Sequence, residues 1–258
     1  MLGIFDSGVG GLTVVQYFLR RKPGLSFVYL GDTSRVPYGN KSLETIRRYT
    51  MEGVRFLVDQ GATDIIIACN TMSLCVEEVR CEFPTIRFFD VIEPAIEAVE
   101  RSKGKRIGVI GTRATIQAGV YQERIKQRMS RVDVLAQACP LFVPLVEEGE
   151  TDRPEIKRIV RRMLHPLRQA QIDTLILGCT HYPILQEVIA QAIGKRVTII
   201  DSPAALYAMM ERTAPNLLDE DDSSTAQRRL CFTDVSTQTK AIVRRWLGHG
   251  FELERVNL

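Results

Sequence analysis

Short, continuously apolar runs alternate along the chain with longer stretches of helical spacing. Leu2-Gly3-Ile4-Phe5, Phe27-Val28-Tyr29-Leu30, Ile65-Ile66-Ile67-Ala68, residues 85–89, Arg106-Ile107-Gly108-Val109-Ile110, residues 132–136, Leu175-Ile176-Leu177 and residues 197–200 read as strands. Runs apolar at nearly every position suit strands covered on both faces. Residues 12–21, 42–60, 72–79, 115–129 and 154–169, and the segment opening at Pro183, read as helices. In 42–60 the residues Ile46, Tyr49, Val54, Leu57 and Val58 recur at helical spacing, and Gly61 closes the run. Pro154 and Pro183 sit where proline favours a helix start. Pro94 and Pro203 read as strand ends, residues 139–149 as a loop rich in proline and apolar residues, and residues 217–226 as a solvated acidic loop. A strand at 229–232, a helix at 236–247 and a strand at 252–256 finish the chain.

Two of the runs end alike. Ile65-Ile66-Ile67-Ala68 leads into Cys69-Asn70-Thr71, and Leu175-Ile176-Leu177-Gly178 leads into Cys179-Thr180-His181. Their lead-ins, Gly61-Ala62-Thr63-Asp64 and Ala170-Gln171-Ile172-Asp173, are also similar, which marks an internal two-fold repeat. The alternation of strands and helices gives an α/β fold of two similar domains with mostly parallel sheets, related by a pseudo-two-fold repeat, with the active site between them. The expected domains are residues 1–93 plus 206–258, the tail returning to complete the first half, and residues 94–205.

Composition narrows the chemistry. The 258 residues carry a net charge of only +3, which points to neither nucleic acid nor an anionic membrane as partner. No apolar run approaches the ~18 residues of a membrane helix, and the start has no basic, apolar leader, so a cytoplasmic protein is expected. There are six cysteines and three histidines, and no C-x-x-C pair, so a metal site has little support. Cys75, Cys81, Cys139 and Cys231 read as small buried hydrophobes. The turn Asp6-Ser7-Gly8-Val9-Gly10-Gly11 matches a dinucleotide fingerprint only in part, because Thr13 stands at the third glycine position.

Ligands of open α/β sheets bind at the carboxyl ends of strands. Those ends gather Asp6, Ser7, Asp32, Tyr38, Gly39, Cys69, Asn70, Thr71, Thr112, Glu147, Cys179, Thr180 and His181. Two thiols on opposite faces of one carbon can take a proton from one face and return one to the other, which inverts a stereocentre. Thiols, with an ordinary pKa near ~8.5, can exchange protons near neutrality. From the residues alone, a cysteine hydrolase, an amino-acid-binding protein and a pair of merely structural cysteines remain open.

The stretches Phe5-Asp6-Ser7-Gly8-Val9-Gly10-Gly11-Leu12-Thr13, Val36-Pro37-Tyr38-Gly39, Ala68-Cys69-Asn70-Thr71, Val146-Glu147-Glu148-Gly149 and Gly178-Cys179-Thr180-His181-Tyr182-Pro183 resemble, in this order, the glutamate racemase family of the aspartate/glutamate racemase superfamily. The resemblance runs from residue 2 to Tyr207 and is weak beyond it. It implies cofactor-independent interconversion of L- and D-glutamate, supplying D-glutamate for peptidoglycan, in a homodimer. Cys69 and Cys179 would be the acid–base pair, with Cys69 serving D-glutamate and Cys179 L-glutamate. Asp6 would assist Cys69, and His181 with Glu147 would serve the second half. Asp6, Ser7, Tyr38, Gly39, Asn70, Thr71, Thr180 and His181 would hold the amino acid. Met72 and Ser34 depart from the family pattern, and an aspartate racemase of the same superfamily is the alternative.

Overall fold

The structure, a computed structural model, describes residues 1–149, 151, 153–219 and 226–258. The first half runs β1 (Leu2–Asp6), α1 (Leu12–Arg21), β2 (Phe27–Gly31), α2 (Leu43–Asp59), β3 (Asp64–Ile67), α3 (Val76–Glu82) and β4 (Arg87–Asp90). The second runs α4 (Ile92–Ser102), β5 (Arg106–Gly111), α5 (Arg113–Gln117), α6 (Val120–Arg128), β6 (Asp133–Ala138), α7 (Phe142–Glu148), α8 (Pro154–Gln169), β7 (Thr174–Gly178), α9 (Gln186–Ile193) and β8 (Thr198–Asp201). The chain closes with α10 (Ser202–Thr213), β9 (Arg228–Phe232), α11 (Thr237–Leu247) and β10 (Leu253–Arg255).

The repeat is visible in the strand order. One sheet runs β10-β9-β2-β1-β3-β4 and the other β6-β5-β7-β8, so the four-strand pattern of the first half recurs in the second. Every pairing is parallel. The central strands β1, β3 and β7 are buried along their whole length, which is why they are unbroken apolar runs rather than alternating ones. Strands β9 and β10 extend the β2 edge of the first sheet. Helix α10 packs on both α1 and α4, and α11 packs on α1, so the last segment bridges the two halves.

Several local expectations change, and proline accounts for most of the changes. Residues 139–149 are not a loop: α7 occupies most of them, with Pro144 in its first turn and Gly149 closing it at φ 80°. Helices α4 and α10 likewise begin with Pro94 and Pro203 in their first turns, where the sequence suggested only strand ends. First-turn N–H groups have no intrahelical acceptor, so a residue without one loses nothing there. The helix expected over 115–129 is two helices, broken at Gly119, whose φ is 71°. Cys75, Cys139 and Cys231 are buried, but Cys81 is exposed on α3. Of the acidic run, residues 220–225 lie outside the described residues, and Leu218 before them is buried.

Candidate active site

The carboxyl ends of β1, β3, β5 and β7 converge on one cavity of about 330 Å³. The strand order 2-1-3-4 in each sheet puts the β1/β3 and β5/β7 ends at the topological switch, where open sheets leave a crevice. From the first half, Ser7, Tyr38, Gly39, Cys69, Asn70 and Thr71 line it. From the second come Thr112, Glu147, Cys179, Thr180 and His181. Of the residues singled out from the sequence as thiol partners or substrate contacts, only Asp6 is not in the lining. It lies beneath the cavity floor, 1% exposed. Cys69 and Cys179 are 7% and 6% exposed, so both thiols reach the cavity from largely dry surroundings.

Around Cys69 the groups are neutral or negative. Ser7 Oγ lies 3.3 Å from Cys69 Sγ and is its hydrogen-bond partner. Burial first, then the negative charge of Asp6, pushes the Cys69 thiol up to about 12, against the pull of the Ser7 hydroxyl. At neutral pH Cys69 therefore carries its proton. Asp6 does not bond to the thiol. Its Oδ1 accepts from the Gly8 N–H at 2.9 Å and its Oδ2 from the Thr180 hydroxyl at 3.3 Å, a contact that spans the two halves. Burial raises the Asp6 carboxyl, a shift that the charge of His181 partly offsets. Behind Cys69, Met72 is fully buried in the same apolar cluster and does not line the cavity.

Around Cys179 the partner is an imidazole held by a carboxylate. Cys179 Sγ lies 3.8 Å from His181 Nδ1, and His181 Nε2 lies 2.9 Å from Glu147 Oε1. Burial alone would lower the His181 pKa, but its contacts with Cys179 and Glu147 outweigh that and raise it to about 10. His181 is thus an imidazolium at neutral pH, able to donate to both neighbours. The α7 helix, missed in the sequence, is what brings Glu147 to the ring. Gly10 lies so close to His181 that a Cβ there would stand 2.5 Å from Nδ1, which explains a glycine in that turn.

Three features escaped the sequence. The Tyr121 hydroxyl donates to Asn70 Oδ1 at 2.6 Å, leaving Asn70 Nδ2 buried at the cavity without a partner among the described residues. Tyr121 thus fixes which end of the amide an incoming acceptor meets. The hydroxyls of Thr71, Thr112 and Thr115 form a triangle with sides of 3.0, 3.0 and 3.3 Å across the two halves. Arg113, exposed at the start of α5, adds a cation to the lining. Asp32 goes the other way. It is fully buried and accepts from Arg35 Nε at 2.5 Å, from the Thr233 hydroxyl at 2.8 Å and from the Tyr38 hydroxyl, and it does not line the cavity. The Ser34 hydroxyl reaches the same carboxylate at 3.5 Å. Among the described residues, no group of three or more His, Cys, Asp or Glu converges as metal ligands, and no helix is long and apolar enough to cross a membrane.

A profile of the Asp/Glu/hydantoin racemase family matches residues 15–210. A glutamate racemase from Aquifex pyrophilus is 43% identical over 255 residues, covering 98% of this chain and 96% of that protein. The crystal structure of a glutamate racemase isoform from Bacillus anthracis superposes with a TM-score of 0.92 at 34% identity, covering 100% of this chain and 97% of that one. The glutamate racemase from Francisella tularensis, solved with D-glutamate, superposes with a TM-score of 0.90 at 34% identity over 99% and 97% of the two chains. With relatives of this similarity spanning nearly its whole length, the chain belongs to the glutamate racemases of the Asp/Glu/hydantoin racemase family.

Proposed function

We propose that the chain interconverts L- and D-glutamate by a two-thiol proton transfer that needs no cofactor. The observation that carries this reading is the placing of Cys69 and Cys179 at equivalent strand ends of the two halves, both on one cavity. Glutamate sits between them with its α-carbon facing a sulfur on either side. In the L-to-D direction the Cys179 thiolate removes the α-proton, forming its S–H bond as the electron pair of the C–H bond passes to the substrate. The Cys69 thiol then gives its proton to the opposite face and becomes the thiolate. The reverse direction exchanges the roles, and solvent resets the pair. The protonated Cys69 and the imidazolium beside Cys179 match the form that accepts L-glutamate.

The carbanion's charge passes into the α-carboxylate, and preorganised donors stabilise such charge most where water is excluded. Asn70 Nδ2 is a buried donor with no partner among the described residues, and the Thr71–Thr112–Thr115 triangle offers hydroxyls from both halves. We assign the substrate carboxylates to these groups, with Ser7, Gly39 and Thr180 completing the walls. The ammonium falls to the Asp6 side of the cavity. Residues 1–93 plus 206–258 and residues 94–205 are taken as the two domains. The cell role proposed is supply of D-glutamate for peptidoglycan by a cytoplasmic homodimer.

Exchange in D₂O tests the reaction. After dialysis against chelator and without pyridoxal phosphate, the protein incorporates solvent deuterium at Cα of both product enantiomers and brings them to equal amounts. Activity that disappears on dialysis and returns with a metal or pyridoxal phosphate contradicts this reading. Faster turnover of aspartate would reassign the substrate.

A further inference from the structure

We propose that α11, in the C-terminal segment, positions the proton partners of Cys179: Trp246 fixes the ring of His181, and Arg245 steadies the end of the helix that carries Glu147. The proposal rests on the two-thiol reading above and concerns one side of it. His181 must present Nδ1 to Cys179 and Nε2 to Glu147 at once, and any rotation of the ring breaks both contacts. Gly10 packs against one part of the ring. The only tryptophan of the chain packs against another: the Trp246 and His181 rings stand 6.1 Å apart at 80°, an edge-to-face contact. Such contacts are directional as well as apolar, so they restrain ring orientation.

Trp246 is itself held. It is 5% exposed, and its backbone carbonyl accepts from Gln16 Nε2 on α1. One residue earlier, the Arg245 guanidinium lies over Gly149, where a Cβ would stand 2.2 Å from Nη1. Gly149 caps α7 two residues after Glu147, and a cation suits the carbonyl end of a helix. These two contacts of α11 therefore fall on His181, the partner of Cys179, and on the cap of the helix that carries the Glu147 bonded to that ring. Trp246 and Cys179 share one apolar cluster, and Cys69 belongs to another. A residue that merely stabilised the fold would affect both half-reactions alike. Trp246 acts on one.

The test uses the full chain with Trp246→Leu and Trp246→Phe, checked for folding by thermal melts. Primary isotope effects are measured with L- and D-[2-²H]glutamate, and the His181 ring nitrogens are followed by ¹⁵N NMR. Because the equilibrium constant is one, kcat/KM falls equally in both directions, by about tenfold for Trp246→Leu, less than the about 10²-fold lost with a positioned acid–base group itself. The isotope effect rises only for the enantiomer whose proton Cys179 removes, the His181 signals shift, and Trp246→Phe recovers most of both. Isotope effects that rise together for the two enantiomers, or an unchanged His181 spectrum in Trp246→Leu, overturn the proposal. If the wild type exchanges no α-proton of glutamate, the racemase reading fails, and the NMR comparison still decides whether Trp246 orients the ring.

Discussion

Cys69 and Cys179 occupy equivalent places after the third strand of their sheets, are almost equally buried, and face the same cavity. Their neighbours differ in kind. Cys69 has a serine hydroxyl at 3.3 Å and a carboxylate below it, whereas Cys179 has an imidazole at 3.8 Å backed by a glutamate. The first setting favours a neutral thiol, and the second puts a positive charge beside the sulfur. On the two-thiol reading proposed above, the repeat supplies one thiol for each face of the substrate, and the departures from it decide where the proton rests between turnovers. A symmetric pair of thiols in identical surroundings would have no reason to hold one proton between them in a defined place.

The largest effect expected is from the thiols. Each of Cys69→Ser and Cys179→Ser removes a group that nothing on the opposite face replaces, so racemisation falls by at least about 10²–10⁴-fold. Steady-state circular dichroism of glutamate checks this. Next come the partners. His181→Asn and Asp6→Asn should each cost about 10² but should raise the isotope effects of opposite enantiomers. Equal changes in both variants would dissolve the distinction between the two sides. A smaller effect belongs to substrate holding. Tyr121→Phe frees the Asn70 amide to turn, and the loss of one hydrogen bond, about 1 kcal/mol, raises KM roughly fivefold with little change in kcat.

The remaining effects concern stability rather than turnover, and their signs separate the two sides. His181 has a folded pKa of about 10 against an unfolded value near ~6.5. A raised pKa of this kind contributes stability that is full below the unfolded value and fades as pH climbs to the folded one. The stability gap between wild type and His181→Asn should shrink between pH ~6.5 and ~10 in urea melts. Asp6 also has a raised pKa, through burial, but it is a carboxylate, so at neutral pH its charge opposes folding. Asp6→Asn should melt at or above the wild-type temperature while losing activity.

Much of the fold was legible because the buried parallel strands leave unbroken apolar runs, and the cysteine-ended runs at 65–69 and 175–179 exposed the repeat. Helices α4, α7 and α10 were missed for a shared reason: a proline in the first turn reads as punctuation when only its neighbours in sequence are seen. Cys69, Cys179 and His181 were visible by their place at strand ends. Ser7 as the bonded partner of Cys69, Tyr121 behind Asn70 and Trp246 against His181 were not, since each contact joins residues 51 to 65 positions apart and depends on side-chain direction. Asp32 illustrates the converse: a carboxylate at a strand end that the fold uses to tie Arg35, Tyr38 and Thr233 together.

The two-sided account is tested most directly by separating the half-reactions. A glutamate analogue with a leaving group at Cβ needs only one α-proton removed to eliminate, so a single working thiol suffices. Cys69→Ser retains Cys179 and should eliminate from the L-analogue alone. Cys179→Ser retains Cys69 and should eliminate from the D-analogue alone. If both variants process the same enantiomer, or if either still racemises glutamate near the wild-type rate, Cys69 and Cys179 do not serve opposite faces and the repeat is structural only.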